Sequence, residues 1–252
     1  MKGLQGKRAL VTGGSRGIGA ATAMLFAEYG VNVAIGYKSR RADADALAAQ
    51  LRDKHGVAAM AHASDISTME GANELVDRAT ESLGGLDFFV GNAGIWPCDD
   101  VAFAEMTDAQ WRRTMAENVD SVFFTTRAAI RRISDDGRIV LVSSTAGQRG
   151  EAYHADYAAS KGATISLVKS LAPELGRRGI TVNSVAPGWV DTEMCEQPFG
   201  NGGRERIAAG IPIGRIAAPR DIAGPIVFLC SELARHVTGE IMNVNGGSVL
   251  CG

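Results

Sequence analysis

Tyr157 and Lys161 are four residues apart in Tyr157-Ala158-Ala159-Ser160-Lys161, inside a segment of helical period. On a helix they share one face, so the ammonium can approach the phenol. A free phenol ionises near ~10, too high for a base at neutral pH. A cation ~4 Å away at an effective dielectric of ~20 supplies ~4 kcal/mol, about three pKa units. The expectation is a phenol tuned to roughly 7, where it exchanges protons best with a reacting oxygen. Ser144 ends an apolar run, and its hydroxyl can donate to a substrate oxygen as negative charge grows there. Strand alternation sends Ser143 and Ser144 to opposite faces, so only one of them can serve.

A second cluster points to a phosphate-bearing cofactor. The run Leu10-Val11-Thr12 breaks into Gly13-Gly14-Ser15-Arg16-Gly17-Ile18-Gly19 and then takes up helical periodicity. A strand, a glycine turn and a helix start place backbone N–H groups and the positive helix end against a diphosphate. Gly13, Ser15, Arg16, Gly17, Ile18 and Gly19 are the binding residues this predicts. An acidic residue closing the second strand would bind the ribose hydroxyls of NAD and repel a 2′-phosphate. This chain has Gly36-Tyr37-Lys38-Ser39-Arg40-Arg41, with no acid before Asp43. Guanidinium groups match phosphate geometry. The predicted cofactor is therefore NADP(H), held also by Tyr37, Lys38, Ser39 and Arg40.

The turn spacing T-G-x-x-x-G-x-G, from Thr12 to Gly19, resembles the short-chain dehydrogenase/reductase family. Further pieces follow in order along the whole chain: Asn92-Ala93-Gly94, Asn118, Ser144 thirteen residues before Tyr157, the Y-x-x-x-K of Tyr157 and Lys161, and Pro187-Gly188-Trp189-Val190-Asp191-Thr192, similar to the family's P-G-x-x-x-T. The resemblance favours Ser144 over Ser143 and implies a catalytic set of Asn118, Ser144, Tyr157 and Lys161, with Asn118 holding a water that passes protons from Lys161. It puts Asp65 and Ile66 beside the adenine, Asn92, Ala93 and Gly94 against the cofactor, Lys161 on the nicotinamide ribose, and Pro187, Gly188, Val190 and Thr192 over the nicotinamide. The implied activity is hydride transfer between NADP(H) and a carbonyl or secondary-alcohol carbon.

Within the family the chain is most similar to the 3-oxoacyl-(acyl-carrier-protein) reductase type. That implies a carrier-bound acyl chain as candidate substrate, with Arg177-Arg178-Gly179 as the turn that would meet an acidic carrier. Trp96, Gln148, Tyr153, Trp189, Met194 and Phe199 are expected to line the substrate pocket beside Ser144, and two tryptophans suggest a partly apolar small molecule. A dinucleotide-sensing regulator on the same fold would need the glycine turn but not Ser144, Tyr157, Lys161 and Asn118. Their joint presence argues for an enzyme.

The elements that must position these residues are legible as alternating periods. Strands are expected at 9–12, 32–36, 58–62, 88–91, 139–143, 181–186 and 241–244, with helices at 18–29, 41–55, 68–83, 108–133, 156–177 and 220–231. This predicts a single α/β domain over 1–252, a Rossmann-type, doubly wound, seven-stranded parallel sheet with helices on both faces. Capping boxes are expected at Ser67 with Glu70 and at Thr107 with Gln110. Pro173 and Pro225 fall inside helical segments, where kinks or shifted boundaries are expected. The stretch 193–214, rich in Gly and Pro, reads as a lid. Val122, Phe123, Phe124, Ile165, Leu167 and Val168 exceed what one sheet-facing stripe needs, which together with the resemblance predicts a homotetramer.

Composition bounds the partners. In 252 residues, 26 Lys and Arg stand against 28 Asp and Glu, a net charge of −2 that offers nucleic acid or an anionic membrane no footprint. Uncharged stretches fall short of the ~18 residues a membrane span needs, and Met1–Arg8 lacks the apolar core of a secretion signal, so a cytoplasmic protein is expected. Cys98, Cys195, Cys230 and Cys251 are far apart, and no H-E-x-x-H occurs among the four histidines, so neither disulfides nor metal are predicted.

Overall fold

The computed structural model describes residues 1–250; Cys251 lies outside them. Seven strands form one sheet: β1 (Arg8–Thr12), β2 (Asn32–Tyr37), β3 (Ala59–Ala63), β4 (Leu86–Gly91), β5 (Ile133–Val142), β6 (Thr181–Pro187) and β7 (Ile241–Val244). Their order is β3-β2-β1-β4-β5-β6-β7, every pair parallel, as expected. The chain runs outward from β1 in one direction and from β4 in the other, so a crevice opens between these neighbours at the carboxyl ends of the strands.

Alternation along the strands divides the core. Ala9 and Val11 of β1 and Phe88 of β4 face one side, where α1 (Gly17–Glu28), α2 (Arg41–His55) and α10 (Pro219–Cys230) cover them. Leu10, Phe89, Ile139 and Leu141 face the other, under α3 (Met69–Leu83), α5 (Ser121–Arg132) and α7 (Ala155–Leu175). Strands buried on both faces read as continuous apolar runs, the pattern β1 shows over Ala9, Leu10 and Val11 and β4 over Phe88, Phe89 and Val90.

The expected helix 108–133 is a composite: α4 (Asp108–Met115), a π turn over Ala116–Asp120, then α5. Its C-terminal end gives way to β5, which starts at Ile133, six residues before the strand expected there. Short α6 (Thr145–Arg149) follows β5. The 193–214 stretch is not irregular: a 3₁₀ turn at Glu193–Cys195 leads into α8 (Glu196–Phe199), and α9 (Gly203–Ala209) follows.

Three local expectations need correction. The cap of α3 is Thr68, whose Oγ1 accepts from Gly71 N at 3.1 Å; Ser67 instead donates to Asp65. Thr107 does cap α4, but the Gln110 side chain reaches Asp156, not the cap backbone. Both helices run on through Pro173 and Pro225, and only α7 ends soon after its proline, in a 3₁₀ turn at Gly176–Arg178. In α10 the buried face of Ile222, Ile226, Val227 and Leu229 holds the helix despite the lost donor.

Candidate active site

Ser144 follows β5 and caps α6, its Oγ accepting from Ala146 N at 3.1 Å. Two turns of chain later α7 begins, and its third residue is Tyr157. The Ser144 hydroxyl lies beside the phenol, close enough to oppose the rise in its pKa. Ser143 is buried, its hydroxyl donating to Lys161 O at 2.8 Å. Lys161 is buried, one helical turn beyond Tyr157, and its Nζ donates to the Val142 carbonyl at 3.0 Å.

This geometry reverses the expected tuning of the phenol. The ammonium is committed to a backbone carbonyl and lies 5.8 Å from the Tyr157 ring centre. Burial dominates and pushes the phenol up to about 12, against the opposing influence of the Ser144 hydroxyl. The same desolvation pulls Lys161 down to about 8. Both groups are driven toward their neutral forms, as low dielectric requires.

Asn118 is buried beside Gly94. It sits in the π turn, a geometry that often marks functional sites. Its side chain makes three hydrogen bonds: Oδ1 accepts from Ile95 N at 2.7 Å, and Nδ2 donates to Ile95 O at 2.9 Å and Ser160 Oγ at 3.0 Å. The amide therefore ties the loop after β4 to α7. Gly94 makes this possible, since a Cβ there would lie 3.0 Å from Asn118 Oδ1 and 3.3 Å from Lys161 Nζ. Asp156, beside Tyr157 and wholly buried, accepts from Thr114 Oγ1 at 2.7 Å and so fastens α4 to α7.

A cavity of about 890 Å³ extends from these residues along the strand ends to the glycine turn, within the ~300–1,000 Å³ usual for ligand sites. All the residues expected to hold the cofactor line it except Gly19, packed on Gly13 O, and Asp65. Gly17 takes φ +52 and stands against the Thr192 methyl, so the turn and the start of the lid stretch meet there. Thr12 Oγ1 accepts from Asn92 N and Ala93 N at 3.0 and 3.1 Å, and Asn92 Nδ2 donates to Thr12 O at 3.0 Å, stitching the two loops into one floor. The lining fits a dinucleotide: a glycine floor without side chains, and cations at one end.

Those cations are paired within the protein. Glu193 bridges Arg16 and Arg40; Lys38 meets Asp65 at 3.0 Å and Glu117 at 2.7 Å. At the other end, the Trp96 ring lies 5.7 Å from Trp189, 5.1 Å from His154 and 6.3 Å from Tyr157. Trp96, Trp189, Tyr153 and Met194 line the cavity as expected. Phe199 does not; it backs Trp189 at 5.9 Å. Gln148 does not either, because its amide donates to Asn243 at 2.7 Å. Arg113, Glu117, Arg149, Glu151, His154 and Cys195 line the cavity without having been expected there. Glu151 and His154 precede Tyr157 so closely that position alone could have flagged them; Arg113 carries no sequence signal.

Among the described residues no three potential ligands converge on a metal site, and no helix is long and apolar enough to cross a membrane. A family model described as enoyl-(acyl carrier protein) reductase matches residues 13–248. The chain is 39% identical over 246 residues to the 3-oxoacyl-(acyl-carrier-protein) reductase FabG of Vibrio cholerae, covering 97% of this chain and 98% of that protein. It is 38% identical over 248 residues to the L-rhamnose 1-dehydrogenase (NAD(P)(+)) of Azotobacter vinelandii, covering 96% of each. A short chain dehydrogenase from Burkholderia cenocepacia, solved in complex with NADP, matches with a TM-score of 0.91 at 37% identity, over 97% of this chain and 98% of that one. With the sheet order, the glycine turn and the Ser144, Tyr157 and Lys161 constellation already in place, the chain belongs to the short-chain dehydrogenase/reductase family of oxidoreductases.

Proposed function

We propose that the protein is an NADP(H)-dependent reductase of ketones with a partly apolar flank. The observation that carries this is the convergence of Ser144, Tyr157 and buried Lys161 at the aromatic end of a cavity whose far end is cationic. When bound, the nicotinamide supplies the hydride. Ser144 and Tyr157 hold the substrate oxygen from two sides, and a phenol kept protonated by burial is ready to donate as alkoxide character develops. Lys161 then stabilises the phenolate, its ammonium one helical turn away. Asn118 acts as a positioning residue through Ile95 and Ser160. Arg16, Lys38 and Arg40 are read as the 2′-phosphate site.

The substrate wall of Trp96, Trp189 and Met194 favours an apolar ketone, including a 3-oxoacyl group, over a bare sugar. Docking of an acidic carrier at Arg177 and Arg178 is not supported. Arg178 is spent on Asp135 and the carbonyls of Ile130 and Ile133, and the turn precedes β6, at the opposite end of the strands from the cavity. The unpaired thiols of Cys98, Cys195 and Cys230 suit a reducing cytoplasm. Phe123 is exposed and Phe124, Ile165 and Leu167 are partly so, whereas Val122 and Val168 are consumed in the core; the first four suit a homotetramer contact. Light scattering at the mass of a 26.4 kDa monomer would rule that assembly out. The activity is tested by following NADPH absorbance over a panel of 3-oxoacyl thioesters, aryl ketones and sugars. Turnover of the first two is expected, and turnover of sugars alone overturns the substrate class.

A further inference from the structure

Glu193 opens the lid stretch directly after Thr192, yet its side chain points back across the cavity mouth. Its Oε2 lies 2.5 Å from Arg16 Nη1 in the glycine turn and also meets Arg40 Nη2 beyond β2. A single carboxylate oxygen thus sits between two guanidinium groups from separate elements, the recognition a phosphate oxygen would receive. Arg40 has a second acid, Asp43 at 3.1 Å, but Asp43 stands on α2 outside the cavity lining. Glu193 is the carboxylate that occupies the cleft itself.

From this juxtaposition we infer that Glu193 is a cofactor-selectivity residue: its carboxylate is a resident anion in the 2′-phosphate subsite, and NADP(H) must displace it. The inference rests on the reading of Arg16 and Arg40 as that subsite. Displacement trades one anion for another, so the arginines lose nothing, but the lid loses its tie to the glycine turn. A cofactor without the 2′-phosphate has no group to exchange and leaves the lid tied. Glu193 therefore lowers the affinity for NADP(H), leaves that for NAD(H) unchanged, and makes release of the first lid turn depend on the phosphate. The pairs are half-exposed, so the effect is modest.

The test titrates NADPH and NADH, by fluorescence, into the full chain, Glu193→Gln, Arg16→Ala and Arg40→Ala. Glu193→Gln is expected to bind NADPH about two- to fivefold more tightly, the range an exposed ion pair allows, with NADH unchanged. Amide exchange across 193–199 is expected to rise on adding NADPH, and not NADH, in the unmodified protein, and to lose that difference in Glu193→Gln. If Glu193→Gln weakens NADPH or leaves it unaltered while the arginine variants weaken it, the carboxylate only aligns the arginines and the inference fails, the phosphate site surviving. If the arginine variants bind NADPH normally, the phosphate site is wrong and the inference falls with it.

Discussion

At the Ser144 end of the cavity, Lys161 donates to a main-chain carbonyl and Asn118 closes on the main chain of Ile95, both buried. At the Arg16 end, the charges are held by other side chains, Glu193, Asp65 and Glu117, with a quarter to half of each exposed. Main-chain partners cannot move away, and desolvation makes their loss costly. Side-chain partners in water are worth little and exchange readily. One cavity thus joins a preorganised chemical end to an end whose charges can change partners, and substitutions should cost accordingly.

The largest effect is expected at Tyr157. Tyr157→Phe removes one oxygen and keeps the ring, so turnover should fall by ~10²–10⁴, the usual worth of a positioned proton donor, with NADPH binding intact. Lys161→Ala should be as severe, should weaken NADPH as well, and should not add to the first loss, because the residues act together. Steady-state rates and cofactor titrations on the single and double variants decide this. Should Tyr157→Phe keep most of its rate, His154, buried against Trp96, is the next donor to examine.

Second comes a stability signature of the buried ammonium. Lys161 is held near 8 in the folded chain against an ordinary 10.5, so below about pH 8 both states are protonated and folding bears the whole penalty. Between about 8 and 10.5 the unfolded chain binds more protons, and stability should rise with pH by up to about 3 kcal/mol. Tyr157, pushed up to about 12, acts in the opposite sense, costing stability from about pH 10 upward. Urea midpoints between pH 7 and 10 should rise in the parent and stay nearly flat in Lys161→Met. A parent midpoint that does not move would show the ammonium to be well solvated, and the contrast between the two ends would collapse.

Smallest is Arg16→Ala, expected to weaken NADPH by about 1.5 kcal/mol, the low end for a hydrogen bond to a charged group because the side chain is half-exposed, and to leave NADH unchanged. Equal losses for both cofactors would mean that Arg16 supports the glycine turn and does not read the phosphate.

Sequence reading reached the sheet, the glycine turn and the placement of Ser144, Tyr157 and Lys161 because each is written locally, in a period or a short spacing. It misjudged what depends on distant partners. The Tyr157–Lys161 spacing shows a shared face, but not that Val142 O takes the ammonium. The basic run after β2 shows charge, but not that Glu193, 153 residues beyond Arg40, meets it. Gln148 looked as available as Trp96, and only the approach of β7 with Asn243 sends it elsewhere. The break in the helix 108–133 was equally hidden, since every residue from 108 to 132 tolerates a helix.

That break has a consequence for how the rod is shared among its neighbours. An α-helix advances about 100° per residue, so a π turn, which takes in one residue more, sets the segments before and after it out of phase by about that angle. A continuous helix over this stretch would aim its buried stripe in a single direction. Here α4 aims Thr114 at Asp156 on α7, while α5 buries Val122, Thr125, Thr126 and Ala129 and packs on α3, on the far side of the same layer. The offset lets one stretch of chain serve two partners that no straight amphipathic helix could face together, and Asn118 stands where the phase changes.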